Sequence, residues 1–295
     1  MNAAGMSELR APPPRALVGL IGSGIQRSLT PAMHEREARE QGLRLHYQLI
    51  DLDTTGATVE ALPTLIQAAR IMGFAGLNIT YPCKQAVIPQ LDDLSEEARA
   101  MGAVNTVVNQ GGRLIGHNTD GSGWSLGFRR ALPDADLSRV VLLGAGGAGS
   151  TIAHAVLRLG AQQLTLVDSD AARAGALADS LNALYGAGRV SASTSAAGAL
   201  KGATGLIHAT PTGMDKLPGL PLDATLLRPD LWVSEIVYFP IETALLKAAR
   251  AVGAPVSDGG TMAVGQALGA FRLFTGLDAD PERVRRHFLD LLAQR

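Results

Sequence analysis

A single cysteine, Cys83, in a chain of 295 residues excludes an intrachain disulfide framework and any CxxC metal site. A reducing compartment suits such a chain, and a cytoplasmic location is the default expectation. Charge of one sign is also lacking. The formal net charge is -1 and no block of lysine or arginine compensates locally, so no field gathers nucleic acid or an anionic membrane surface. No apolar run approaches the roughly 18 residues that span a bilayer. The first residues, 1–15, carry Pro12-Pro13-Pro14 and lack the apolar segment of a signal peptide, and they read as a disordered leader. The six histidines are scattered without metal-ligand spacing, so no metal is expected and His117 reads as a turn residue. There is no repeat at solenoid periods, and the only tract of low complexity is the small-residue stretch Ser191 to Ala199. A small molecule is the expected partner. Composition and spacing leave monomer and homodimer equally open.

The chain has 46% hydrophobic and 18% charged residues, enough apolar surface for a well-filled core. Its length exceeds the usual size of one domain, which implies two lobes with a cleft between them. An apolar run from Ala16 to Ile21 ends at Gly22-Ser23-Gly24, and a helical segment follows from Pro31. Leu45 to Leu52 reads as a second strand, Val59 to Met72 as a helix, and Gly76 to Thr80 as a third strand halted by Tyr81-Pro82. This alternation predicts a mostly parallel sheet with helices on its faces.

A second alternating series starts at Arg139 to Leu143, passes through Gly144-Ala-Gly-Gly-Ala-Gly149 into a helix ending near Gly160, and returns as Leu164 to Val167. Further strands are expected at Gly205 to His208 and Leu231 to Val237. Helices are expected at Ala171 to Leu184, Thr243 to Val252, Ala263 to Phe274 and Pro281 to Leu292.

A three-glycine pattern gains meaning from a strand before it and a helix after it, as here. Gly144 permits the tight turn, Gly146 lets the backbone approach a pyrophosphate, and Gly149 lets helix pack on strand, with Gly147 and Ala148 completing the loop. Asp168 ends the next strand about 20 residues on, where a carboxylate accepts hydrogen bonds from the adenosine ribose. A 2′-phosphate would meet that charge, so NAD is expected and NADP is less favoured. Arg173 is a second candidate on the cofactor side, although an arginine early in a helix also serves as a solvated surface charge.

Several polar clusters interrupt apolar segments: Ser28 to Pro31, Asn78 to Lys84, Gly102 to Thr106, Asn118 to Gly121, and Gly259 to Gln266. With Ala209-Thr210-Pro211-x-Gly213-Met214 and Tyr238-x-Pro240 they form an ordered set from about Leu17 to Phe274 that resembles the shikimate/quinate dehydrogenase family. The resemblance implies an α/β, two-domain fold. A Rossmann-type NAD-binding domain would span residues 122–256. An α/β substrate-binding domain with a mostly parallel sheet would span 16–121, and C-terminal helices, 257–295, would return to it.

By the same resemblance Ser28 and Thr30 bind the substrate carboxylate, Lys84 and Asp120 flank the hydroxyl being oxidised, and Asn105 and Gln266 hold ring hydroxyls. Thr80 and Tyr238 join the substrate side. Thr210, Pro211, Gly213, Met214, Val237, Gly259 and Met262 fall on the cofactor side, with Tyr238 and Met262 ranked as nicotinamide packing or support. Hydroxyl donors do suit a carboxylate, and amides suit a vicinal polyol. Lys84 is the candidate base; partial burial would ease loss of its proton and a neighbouring Asp120 would oppose it. Cys83 beside it reads as packing, since hydride transfer needs no covalent intermediate.

Biosynthetic members that use NADP carry an arginine just after the second cofactor strand, where this chain has Asp168-Ser169. That departure, and the segment Gly24 to His34, look like the NAD-using branch, which interconverts quinate with 3-dehydroquinate and shikimate with 3-dehydroshikimate. A shikimate-selective NADP enzyme and a non-catalytic metabolite or dinucleotide sensor on the same fold are the alternatives.

Overall fold

Among the described residues the chain forms two sheets of six strands. The structure, a computed structural model, describes residues 14–294. The stretch read as a leader lies outside the described residues except for Pro14 and Arg15, and Arg15 already belongs to the first strand.

The first sheet contains β1 (Arg15–Gly22), β2 (Arg44–Asp51), β3 (Gly76–Ile79), β4 (Asp93–Leu94), β5 (Thr106–Gln110) and β6 (Arg113–His117), in the spatial order β2-β1-β3-β5-β6-β4. Helices α1 (Thr30–Glu40), α2 (Leu52–Thr55), α3 (Leu62–Ile71), α4 (Cys83–Ala86) and α5 (Glu96–Met101) connect or flank these strands. The expected parallel arrangement holds for β1 with β2 and β3, and β4 also runs parallel to β6. The hairpin β5–β6 adds two antiparallel pairings. Its two-residue turn is Gly111-Gly112, both at positive φ, which matches the right-handed twist of the strands. His117 is therefore the last residue of a strand rather than part of a turn. The expected helix from Val59 begins as a 3-10 turn, Val59–Ala61, and becomes α-helical at Leu62, with Pro63 in the first turn where its missing N–H costs nothing.

The second sheet contains β7 (Arg139–Leu143), β8 (Gln163–Val167), β9 (Val190–Ser193), β10 (Gly205–His208), β11 (Trp232–Glu235) and β12 (Val256–Ser257). All its pairings are parallel, in the order β12-β11-β10-β7-β8-β9. Numbered within the domain this is 3-2-1-4-5-6, the order of doubly wound dinucleotide-binding domains, with its switch point between β7 and β10. Around it lie α6 (Thr119–Ala131), α7 (Gly147–Arg158), α8 (Ala171–Tyr185), α9 (Ala196–Ala199) and α10 (Ala244–Ala251). The tract read as low complexity holds most of β9 and the whole of α9.

Two later helices, α11 (Gly260–Thr275) and α12 (Pro281–Ala293), return to the first sheet. Ala270 and Phe274 of α11 pack with Val18, Leu20 and Tyr47, while Arg283 of α12 donates to both carboxylate oxygens of Glu37 on α1 at 2.6 and 2.8 Å. The joint between the lobes is the crossing of α6 and α11. A Cβ added at Gly265 would lie 2.1 Å from the carbonyl oxygen of Gly123, and one at Gly123 would lie 2.3 Å from the amide nitrogen of Gln266. Only glycine lets the two backbones approach this closely. The later turns of α6 are fixed in the second lobe, where Trp124 is fully buried, stacks on Phe128 with centroids 4.8 Å apart, and donates Nε1–H to Ser234 Oγ at 3.1 Å. A division at residue 121 thus passes through the first turn of α6. Among the described residues no helix is long and apolar enough to cross a membrane.

Gly265→Ala should cost about 1–3 kcal/mol or more, since backbone must move to admit the methyl group. Gly175→Ala, where the new Cβ meets nothing within 4 Å in the interior of α8, should instead stabilise by about 0.5–1 kcal/mol. Urea denaturation of both variants checks the pair; a neutral Gly265→Ala would remove the close crossing as a structural requirement.

Candidate active site

The carboxyl ends of β1, β3, β10 and β11 open into one cavity of about 780 Å³, between the two lobes. Strand period brings Asn78 and Thr80 to the same side of β3 and its extension, and Thr80 lines the cavity beside Asn78. The chain then turns through a cis Tyr81–Pro82 peptide into α4, which starts at Cys83 and carries Lys84. Cys83 is buried in the core of the first lobe, and that burial pushes its thiol up from the ordinary range, as a packing residue requires. The carbonyl of Lys84 accepts the amide of Val104 at 2.9 Å, which ties α4 to the segment entering β5.

Asn105 organises the floor of the cavity. Its Nδ2 donates to Asp120 Oδ1 at 2.9 Å and Thr119 Oγ1 at 3.0 Å, and its Oδ1 accepts the Thr119 amide at 2.8 Å and the Thr106 hydroxyl at 2.9 Å. Asn118 caps α6 by accepting the amide of Asp120 at 3.0 Å, which places the Asp120 carboxylate in the first helical turn, where the dipole favours negative charge. Its other oxygen, Oδ2, lies 2.5 Å from Lys84 Nζ. The Asp120 side chain is 7% exposed and that of Lys84 is 35% exposed, so the carboxylate sits behind the lysine and the ammonium faces the cavity.

Ser28 donates its hydroxyl to Thr30 Oγ1 at 3.1 Å, and both residues line the cavity at the start of α1. Gln266 faces them from α11, and Tyr238 closes one side from the segment after β11. All eight residues expected on the catalytic and substrate side are brought together, Asp120 through its contacts with Lys84 and Asn105.

The glycine loop crosses the mouth of the second sheet. Gly144 has φ +97°, and a Cβ there would lie 2.7 Å from the carbonyl of Ala209. A Cβ on Gly149 would lie 1.9 Å from the Gly144 carbonyl, whereas one on Gly146 or Gly147 would meet nothing within 4 Å. The first pair is held by packing and the second borders open space. No side chain caps α7, whose first turn begins at Gly147, so its N–H groups are left for a ligand. Asp168 at the end of β8 accepts the Ala145 amide on Oδ2 at 2.8 Å, and the Asp170 amide and Arg173 Nη2 on Oδ1 at 2.9 and 2.8 Å. The hydrogen bond from Arg173, with those amides, holds its carboxyl at about 2. An open backbone turn, an uncapped helix start and a carboxylate at the next strand end together fit a dinucleotide.

Ala148, Thr210, Pro211, Met214 and Val237 line the cavity, and Gly213, at φ +94°, shapes the loop that holds Met214. Gly259 and Met262 do not line it. A Cβ on Gly259 would lie 2.3 Å from the Val237 carbonyl, and Met262 packs on the core that contains Trp124. Gly144, Gly146, Gly147 and Gly149, after β7, and Asp168 and Arg173, after β8, lie outside the cavity lining, which the glycine loop joins through Ala148.

Sequence reasoning missed Asn78 and His34 as site residues, although both carry a signal. Asn78 lies one strand period before Thr80, and His34 lies one helical turn after Thr30. Asn78 accepts the Tyr47 hydroxyl at 2.7 Å and donates to Thr106 Oγ1 at 3.0 Å. His34 donates Nδ1–H to the Thr30 carbonyl at 3.0 Å and is packed among Tyr47, Phe271 and Phe274. Arg27, Asp215 and Lys216 also border the cavity, from loops without periodic pattern.

A family model described as the shikimate dehydrogenase substrate binding domain matches residues 20–107. A shikimate dehydrogenase (NADP(+)) of Streptomyces avermitilis is 57% identical over 277 residues, 93% of this chain and 95% of that protein. A quinate/shikimate dehydrogenase (NAD(+)) of Corynebacterium efficiens is 49% identical over 278 residues, 93% of this chain and 98% of its own length. Among solved structures, quinate dehydrogenase from Corynebacterium glutamicum in complex with NAD superposes with a TM-score of 0.90 at 47% identity, covering 94% of this chain and 99% of that one.

Burial lowers the His34 imidazole to about 4, only partly offset by its bond to Thr30. The unfolded chain takes up that proton near pH 6.5, so between about 6.5 and 4 the unfolded state binds more protons and stability falls as pH falls, by up to about 3 kcal/mol. Urea midpoints measured from pH 7 to pH 4 should decline less steeply in His34→Asn than in the parent chain. Burial also lowers His117, His154 and His287, so the variant retains part of the slope. An unchanged slope would place the acid sensitivity elsewhere.

Proposed function

The chain belongs to the shikimate/quinate dehydrogenase family of oxidoreductases, and we propose that within it the protein is an NAD-dependent quinate/shikimate dehydrogenase. The observation that carries this reading is the chain Asn105–Asp120–Lys84, buried at Asn105 and Asp120, which presents the Lys84 amino group to a cavity that Ala148 of the glycine loop also lines. Ser28 and Thr30 offer paired hydroxyls to the substrate carboxylate. Asn78, Thr80, Asn105 and Gln266 offer the mixed donors and acceptors that a ring polyol needs, and a less hydroxylated analogue would leave them unpaired.

When bound, the nicotinamide ring supplies the hydride acceptor. The protein's own task is the proton. Lys84 Nζ accepts the hydroxyl proton of the substrate in the oxidative direction and returns it in the reductive one. Asp120 holds Nζ at 2.5 Å, and its second oxygen is anchored by Asn105, so the carboxylate orients the lysine while the lysine moves the proton.

NAD is favoured by the carboxylate of Asp168, which would meet a 2′-phosphate charge against charge. A second reading, an NADP enzyme selective for shikimate, is supported by one feature beside it. Arg173 already bonds that carboxylate with a half-exposed guanidinium, a group suited to a phosphate.

Initial rates on quinate and on shikimate, each with NAD and with NADP, separate the readings: turnover of both acids with NAD preferred is expected, and shikimate-only turnover with NADP would reverse the cofactor assignment. Lys84→Ala should lower kcat by about 10²- to 10⁴-fold, with NADH binding, followed by its fluorescence, changed little. An equal loss of both would count against Lys84 as the proton carrier.

A further inference from the structure

β10 ends at His208 and β11 at Glu235, partners in register in the parallel sheet. Both side chains are fully buried, a placement that polar groups tolerate only when their bonding capacity is filled. His208 Nδ1 lies 2.8 and 3.0 Å from the two oxygens of Glu235. The carboxylate also accepts the amides of Ile236 and Val237 at 2.8 and 3.0 Å and the Thr243 hydroxyl at 3.0 Å. On the other side of the ring Nε2 lies 2.5 Å from Thr210 Oγ1, which in turn accepts the Thr212 amide at 3.3 Å. One assignment satisfies every group: Thr210 donates its hydroxyl to Nε2, and Nδ1–H donates to Glu235.

Buried polar pairs add little net stability over apolar residues of the same volume. What this one does is join two segments of the cleft wall. Ala209 to Met214 follows β10, Ile236 to Phe239 follows β11, and both line the cavity. Asp168, at the end of β8, marks the adenosine half of the dinucleotide site, so the β10–β11 half borders the nicotinamide. We infer that His208 and Glu235 are positioning residues that act through Thr210 and the backbone of Ile236 and Val237 to hold the wall against which the nicotinamide ring is aligned. This rests on the dehydrogenase reading above.

Thr210→Val keeps the shape of the side chain and removes its hydroxyl; Thr210→Ser keeps the hydroxyl. In Thr210→Val, kcat should fall about tenfold and the deuterium isotope effect on carbinol-deuterated substrate should rise. The NADH dissociation constant should change less than about threefold, because the pyrophosphate and adenosine contacts lie elsewhere. Thr210→Ser should recover most of the lost rate, and the emission of bound NADH should be altered in the valine variant and restored in the serine one. Full kcat with unaltered emission in Thr210→Val would overturn the inference while leaving the enzyme's function intact, and so would equal losses in both variants, since shape rather than the hydroxyl would then matter. A parent chain that turns over neither acid would defeat the substrate reading, and the NADH emission would still decide the role of the network.

Discussion

The close crossing of α6 and α11 is the constraint on which the site depends. Gly123 and Gly265 let two helix backbones meet at a distance that any side chain would prevent. Each helix then delivers a functional group from a position next to the contact. Asp120 lies three residues before Gly123, at the start of α6, and Gln266 directly follows Gly265 on α11. A carboxylate and an amide from distant parts of the chain thereby acquire fixed places without depending on a loop. The same helix α6 is rooted in the second lobe through Trp124, so Asp120 is tied to the second sheet as well as to the first.

A second consequence concerns charge. Asp120 is almost wholly buried, and a buried carboxylate is tolerated only with compensation. Three sources supply it: the first turn of α6, the amide of Asn105, and the ammonium of Lys84. Only the ammonium is free to move, since Lys84 is partly exposed on a flexible stem while Asn105 is gripped by Thr106 and Thr119. Rigidity thus lies behind Lys84 and freedom at its tip, as the proposed role of proton carrier needs.

Much of this was legible in the sequence because its signals are local and chemical. The βαβ unit from Arg139 to Val167 follows from apolar runs around a glycine loop, and the resemblance of the ordered polar clusters pointed to Lys84, Asp120, Asn105 and Gln266 together. What escaped has physical reasons. The β5–β6 hairpin has Gly-Gly at its turn, but β5 begins at the end of the polar cluster Gly102 to Thr106, whose pattern reads as a binding segment rather than as a strand. Helix α6 contains Gly121, Gly123 and Gly127, poor helix formers whose presence makes sense only once its neighbours are set against them: α11 at Gly123 and Gly127, and Met101 and Glu97 of α5 at Gly121. His208 and Glu235 lie 27 positions apart, and only the parallel register brings an imidazole to a carboxylate.

Asp168 shows how cofactor choice is bound up with the fold. One of its oxygens holds the Ala145 amide, within the turn that must stay open for a pyrophosphate, and the other holds Asp170 and Arg173. The carboxylate therefore braces the glycine turn, and on the proposed reading it also meets the adenosine ribose. Replacing it to admit a 2′-phosphate would also release the Ala145 amide, leaving a buried backbone donor unpaired. Arg173 offers a less disruptive adjustment, because a guanidinium that turns from Asp168 toward a phosphate leaves the Ala145 bond in place. On the proposed reading, cofactor preference would rest on the balance between one fixed carboxylate and one movable cation.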